Sequence, residues 1–389
     1  MPLANNNRGE TRVKIGFDMM LWTTHVTEAH RHILEDIKRT GYDGVEIPIF
    51  EGTPEYFTGL GRLLDDVGLE RTGITVIGGL DQNPLSENPE DRKRGKEYLT
   101  WVLDCCAALG AKIVGGPMHS TLGHFSGNPP TEAERERARE FHREVGDIAA
   151  ARGVRLALEA INRFECYFAN TMDDLGRYVA SVGHPAIQAM YDTFHANIEE
   201  ADPVGAFTRN VEHVIHIHIS ENDRGVPGRG HVPWAATYKA IRDSGYDGWL
   251  TIEAFGRSLP ALGAATKIWR DLSEGPEAVY RDGYRNIREG WDAAGRKATP
   301  ARPKRKAAAK VKQPAATRKA AAVKKPAAKA PARPKRPAAK KPAVSKRAKP
   351  APRRKPSAAI AARRLAKPAR RRTTAQRPAR GSRPAKPKR

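Results

Sequence analysis

Cysteine is nearly absent, with Cys105, Cys106 and Cys166 the three in 389 residues. Adjacent cysteines such as Cys105 and Cys106 rarely bridge each other, and no CxxC spacing occurs. A disulfide framework is therefore not expected, and a reducing compartment is. No run of 18 apolar residues exists, and the opening stretch MPLANNNRGETR lacks the apolar core of a signal peptide. The expectation is a soluble, cytoplasmic protein with no membrane partner. Neither GxGxxG nor GxxxxGK[ST] occurs, so a nucleotide cofactor has no support. Residues 296–389 lack still more: they contain no Asp, no Glu, no His and no aromatic residue.

Those last 94 residues hold 36 of the 68 Lys and Arg and none of the 44 Asp and Glu. The net charge of +24 thus divides into +36 there and −12 over residues 1–295. Irregular KPA, KRPAAK and RR units made of Lys, Arg, Ala and Pro cannot bury enough apolar surface to offset ordering entropy. The expected organisation is one folded domain over 1–295 and a disordered basic tail over 296–389.

Within 1–295 apolar runs alternate with helical periodicity. Strands are expected at Val13–Phe17, Gly44–Ile47, Arg71–Ile77 and Lys112–Val114, then near Leu156, Ile187 and Val214, and at Trp249–Ile252. Helices are expected at Thr27–Thr40, Pro54–Val67, Asp91–Leu109, Thr131–Arg152, Met172–Val182, Pro203–Asn210 and Trp234–Asp243. In the fourth of these, Thr131 and Glu134 form a capping box. Gly275-Pro276 divides a final helical region that ends near Trp291. Eight strand-helix alternations argue for a parallel sheet closed into a (β/α)₈ TIM barrel.

Four strands end on an ionisable residue: LALEAINRFE on Glu159, IQAMYDTFH on Asp192, HVIHIHIS on His218 and WLTIEAF on Glu253. The intervals of 33, 26 and 35 residues are each about one strand-helix unit. A barrel gathers its strand ends around one mouth. Two Glu, one Asp and one His there make a hard, oxygen-rich set for a single divalent cation, Mn²⁺, Mg²⁺ or Co²⁺. In HVIHIHIS alternate residues share a face, so His216 and His218 face the interior, with His216 one layer deeper as a hydrogen-bonded core histidine. Glu159 and Glu253 approach from different sides, as an acid-base pair beside a polarised carbonyl would. Such a pair epimerises through an enediolate. None of the seven lysines of 1–295 closes a strand, which disfavours Schiff-base chemistry. By position alone Glu165, His195 and Arg224 are ordinary loop residues near these strand ends, and Trp22 either stacks on a sugar or plugs the barrel.

LALEAINRFE, YDTFHANIEE, HIHISENDRGVPGRG and LTIEAF together resemble the D-tagatose 3-epimerase and D-psicose 3-epimerase group. That group belongs to the xylose-isomerase-like TIM barrels, the sugar phosphate isomerase/epimerase superfamily. The similarity spans residues 13–291. It implies Glu159, Asp192, His218 and Glu253 as ligands of one Mn²⁺ or similar ion per chain, with Glu159 and Glu253 also moving protons at C3 of a ketose. By the same matching, Glu165, His195 and Arg224 bind the ketose oxygens, and the expected assembly is a homo-oligomer, a dimer or tetramer. The basic tail resembles the C-terminal tail of linker histone H1, which implies non-specific DNA or polyanion binding and nucleoid association.

Other readings keep the barrel and change the chemistry. A sugar or hydroxy-carbonyl isomerase or dehydratase would use the same carboxylate pair. An endonuclease IV-like DNA repair enzyme would suit the tail but needs further His and Asp ligands. Here Ile77-Gly78-Gly79 offers no His, and His231 follows Arg229 and Gly230 rather than an Asp. A third reading makes the barrel a passenger and the tail a nucleic-acid compactor.

Overall fold

A computed structural model describes residues 13–296. The segment expected to be a disordered tail lies outside the described residues, Arg296 excepted. Eight strands form one closed barrel: β1 (Lys14–Asp18), β2 (Gly44–Pro48), β3 (Glu70–Ile74), β4 (Ile113–Gly116), β5 (Arg155–Glu159), β6 (Ile187–Asp192), β7 (Val214–Ile219) and β8 (Trp249–Ile252). Each pairs in parallel with the next, and β8 returns to β1 through Ile15 opposite Leu250 and Phe17 opposite Ile252. Around them lie α1 (Arg31–Thr40), α2 (Pro54–Val67), α3 (Pro89–Leu109), α4 (Glu132–Ala151), α5 (Met172–Val182), α6 (Thr193–Glu199), α7 (Pro203–Asn210), α8 (Trp234–Asp243), α9 (Pro260–Thr266) and α10 (Pro276–Gly295). The TIM barrel read from the alternation is the fold.

Local chemistry sets the helix ends. Thr131 and Glu134 form the capping box of α4, in which each side chain satisfies an otherwise orphaned backbone N–H. Asn88 caps α3 through Glu90 N–H, so that helix begins two residues before the expected Asp91. The helix expected from Thr27 opens instead with a 3₁₀ turn at Glu28–His30. The third strand ends at Ile74, short of Ile77. At the end of β4, Gly116 has φ +123°, and a Cβ there would lie 2.0 Å from Thr75 O. Only glycine fits that close approach.

Side chains alternate across each strand. Leu156, Leu158, Ile217 and Ile219 pack outward in the main core between barrel and helices. Inside, Ile113, Ala157, Met190 and Trp249 form a separate apolar plug. Polar residues occupy the interior above it, toward the C-terminal strand ends. Trp22 settles against Phe17 and Tyr280, with ring centroids 5.1 and 6.0 Å away. All three cysteines are free and buried. Among the described residues no helix is long and apolar enough to cross a membrane.

Candidate metal and proton-transfer site

Glu159 and Asp192 close β5 and β6, His218 is the penultimate residue of β7, and Glu253 follows β8 directly. Asp192 and His218 are register partners across neighbouring strands, and all four side chains are buried. Asp192 divides its carboxylate. Oδ1 accepts the Phe194 N–H at 2.6 Å and caps α6, while Oδ2 faces the mouth, 3.7 Å from His218 Nδ1. Glu253 Oε2 stands 3.5 Å from the same nitrogen.

The three residues read as substrate groups take different places. Arg224 reaches in from the loop after β7 with a left-handed backbone, φ +66°. Its Nη1 donates to Asp192 Oδ2 at 2.8 Å and to Glu253 Oε2. Its guanidinium stacks on Phe194, 4.0 Å from the ring centroid. His195, in the first turn of α6, points Nε2 to within 3.4 Å of Glu159 Oε1. The Asn162 backbone N–H donates to His195 Nδ1 at 3.2 Å, and Arg224 Nη2, which can only donate, lies 2.9 Å from Nε2. Glu165 stands further back and accepts from Asn162 Nδ2 at 2.7 Å. It meets the site through Asn162 rather than directly.

Burial raises the Glu159 carboxyl above its ordinary value, helped by the negative Glu253 and Asp192 and opposed by His195. Burial pushes Asp192 the same way, yet Arg224, His195 and His218 outweigh it and hold that carboxylate well below the usual range. Two nearby carboxyls with opposite displacements are a frequent mark of acid-base sites. His218 is displaced upward because Glu253 and Glu46 overcome the burial that would lower it.

The donor set fits a divalent cation. Single ligand atoms of Glu159, Asp192 and His218 lie within 4.8 Å of one another. His218 Nδ1 and Glu159 Oε1 are buried without a hydrogen-bond partner, and such orphans call for explanation. A cationic nitrogen, Arg224 Nη1, already sits between Asp192 and Glu253. One imidazole nitrogen among carboxylate oxygens suits hard ions such as Mg²⁺ or Mn²⁺.

Sequence reasoning missed two interior carboxylates, Asp18 at the end of β1 and Glu46 in β2. Both are fully buried. Glu46 Oε1 accepts from His218 Nε2 at 2.7 Å, and Oε2 accepts from His216 Nε2 at 3.1 Å. His216 is thus hydrogen-bonded one layer below His218. Asp18 Oδ1 accepts the Met20 N–H at 2.7 Å, and Oδ2 has no partner. Burial, with Glu46 and Glu253 nearby, raises its carboxyl well above the usual range. The signal that would have found Asp18 is the one that found the others, an ionisable residue at the C-terminal end of a short apolar strand; Glu46 lies mid-strand, and its signal is a lone charge between apolar neighbours in a barrel strand.

A closed parallel barrel with carboxylates and a histidine at its strand ends defines the class, and the chain belongs to the xylose isomerase-like TIM barrel family, whose model matches residues 34–290. Its relatives are ketose 3-epimerases, isomerase-class enzymes. The D-psicose 3-epimerase of Ruminiclostridium cellulolyticum is 31% identical over 282 residues, covering 69% of this chain and 93% of that one. A ketose 3-epimerase of Arthrobacter globiformis is 30% identical over 264 residues, covering 67% and 90%. A crystal structure of D-psicose 3-epimerase with D-tagatose from Clostridium cellulolyticum H10 superposes with a TM-score of 0.66 at 30% identity. It covers 72% of this chain and 99% of that chain.

Proposed function

We propose that the protein is a metal-dependent ketose epimerase that inverts C3 by proton transfer between two carboxylates. The observation that carries this reading is the placement of Glu159 at the end of β5 and of Glu253 directly after β8, with His218 Nδ1 and Asp192 Oδ2 beside them. When bound there, a divalent ion supplies Lewis-acid polarisation of the ketose carbonyl and so acidifies the neighbouring C–H. Glu159 removes the C3 proton from one face, and its raised affinity for protons suits a base that must later return one. Glu253 serves the opposite face. Arg224 holds Glu253 Oε2 before substrate arrives, and turning that donor to a sugar oxygen frees the carboxylate. His195, held by Asn162 and through it by Glu165, accepts from Arg224 Nη2 on its Nε2 at 2.9 Å, and release of that donor frees Nε2 to accept from a sugar hydroxyl. What supports the substrate class is that the relatives act on ketoses.

The direct test is exchange. Mn²⁺-loaded protein incubated with a ketose panel in D₂O is expected to place deuterium at C3, followed by NMR. Chelation should abolish the exchange and added Mn²⁺ restore it. Exchange at C1 or C2 alone would move the assignment to an aldose-ketose isomerase. Undiminished exchange after exhaustive chelation, with no metal found by elemental analysis, would remove the metal from the mechanism.

We further propose that residues 1–295 are the catalytic unit and that 296–389 bind nucleic acid or another polyanion through charge. The support is the +36 carried there without a single acidic residue.

A further inference from the structure

We infer that Glu46 is a positioning residue: it holds the Nε2 proton of His218 and so reserves Nδ1 for the metal, an assignment that rests on the metal-dependent reading above. Glu46 lies on β2, across the barrel from β7, and is fully buried. Its two oxygens receive three donors. Oε1 accepts from His218 Nε2 at 2.7 Å, and Oε2 accepts from His216 Nε2 and from Thr72 Oγ1, each at 3.1 Å. An ionised carboxylate accepts only, so both imidazoles must present N–H to it. The Nε2 side of His218 is then closed.

Nδ1 remains, buried without a hydrogen bond and standing 3.5 and 3.7 Å from Glu253 Oε2 and Asp192 Oδ2. The nitrogen that faces the carboxylates is therefore selected from behind, by a group that need not touch the ion. His216 completes the clamp. It takes the second oxygen and packs edge-on against His218 at 5.3 Å and 72°, so the carboxylate cannot rotate away from one ring without losing the other.

Glu46, His216 and His218 also bring one ligand atom each within 4.8 Å, the composition of a second metal site. The contacts of 2.7 and 3.1 Å decide against it, because shared protons already occupy those atom pairs.

Glutamine at position 46 has one acceptor oxygen and an NH₂ group that can only donate. It cannot accept from both rings, so one imidazole must invert its tautomer or lose its bond. The experiment compares wild type and Glu46→Gln after chelation, by titration calorimetry with Mn²⁺. Wild type is expected to bind one ion, and the variant the same number with affinity about 10- to 100-fold lower, the usual scale for such outer partners. Loss of a nearby negative charge would also weaken binding, so the second readout is ¹⁵N NMR of wild-type protein saturated with Mg²⁺. His218 should carry its proton on Nε2 and none on Nδ1. That measurement decides the matter alone if Glu46→Gln does not fold. Equal affinities, a deprotonated Nε2 on His218, or two ions per chain would each overturn the role of Glu46. A wild type that binds no divalent ion would overturn the metal-dependent reading together with it.

Discussion

His142 lies fully buried in α4, with Nδ1 2.9 Å from Ala138 O and 2.6 Å from the Tyr178 hydroxyl, while Nε2 has no partner. Burial pushes this imidazole down to about 4 from an ordinary 6.5. Between those values the unfolded chain binds the proton and the folded one does not, so stability rises with pH. The contribution is complete above about 6.5 and lost as pH falls toward 4; at ~1.4 kcal/mol per unit it reaches about 3 kcal/mol. Urea midpoints at pH 4.5 and 7 should therefore differ less for His142→Gln than for wild type, and an unchanged difference would refute the assignment. At the mouth, Glu159→Gln and Glu253→Gln should each abolish C3 epimerisation in both directions while metal remains bound. Near wild-type turnover in either would sink the proton-transfer pair. Glu159, Asp192, His218 and Glu253 were legible in the sequence because a charge closing an apolar strand is costly unless it has partners. Glu46 lies mid-strand and carries no such mark. Between Val45 and Ile47 it looks like the solvent-facing member of an alternating strand, but in a closed barrel that face is the interior. Which imidazole nitrogen faces the carboxylates is not written in any spacing.

At the scale of elements, all eight strands were legible from alternation, whereas α6 was not. It begins on the residue after β6, with Asp192 serving as both strand end and N-cap. No turn residue separates the two periods, so Thr193–Glu199 reads as a loop. The loop between β7 and α8 has a different anchor. Glu221 is buried there and accepts four donors: the N–H groups of Asn222, Gly228 and Val232 at 3.0, 2.8 and 3.1 Å, and Trp234 Nε1 at 2.9 Å. These bonds hold its carboxyl below the usual range against the burial that would raise it. The same loop carries Arg224, whose N–H donates to Glu221 O at 3.0 Å. Glu221→Ala leaves four donors unmatched, a loss of about 3 kcal/mol or more given ~1–3 for each buried unsatisfied group. Because the loop positions Arg224, KM for a ketose should rise as well. A variant with wild-type urea midpoint and KM would show that the carboxylate does not hold the loop.

For the whole molecule, the division of charge leads to the last prediction. Residues 1–295 carry −12 and residues 296–389 carry +36, so an acidic enzyme unit is joined to a polycation whose charge the sugar chemistry does not use. A basic segment gains affinity for nucleic acid by releasing condensed counterions, and each phosphate contact adds about −0.9 to the slope of log K against log salt on duplex DNA. The segment has no aromatic residue, hence no stacking platform for unpaired bases. Binding should therefore be indifferent to sequence and steep in salt, and the negative barrel should compete only weakly once salt screens it. Truncation after Gly295 is expected to leave kcat and KM on small ketoses within about twofold, since surface charges beyond a screening length contribute little, and to abolish retention on DNA at about 50 mM salt. Electrophoretic mobility shifts of the full and truncated chains over a salt series measure both halves of the claim. If the truncated protein retains DNA, the barrel is the binding surface. If the full chain shows no salt-dependent retention, the charge serves something other than a polyanion partner.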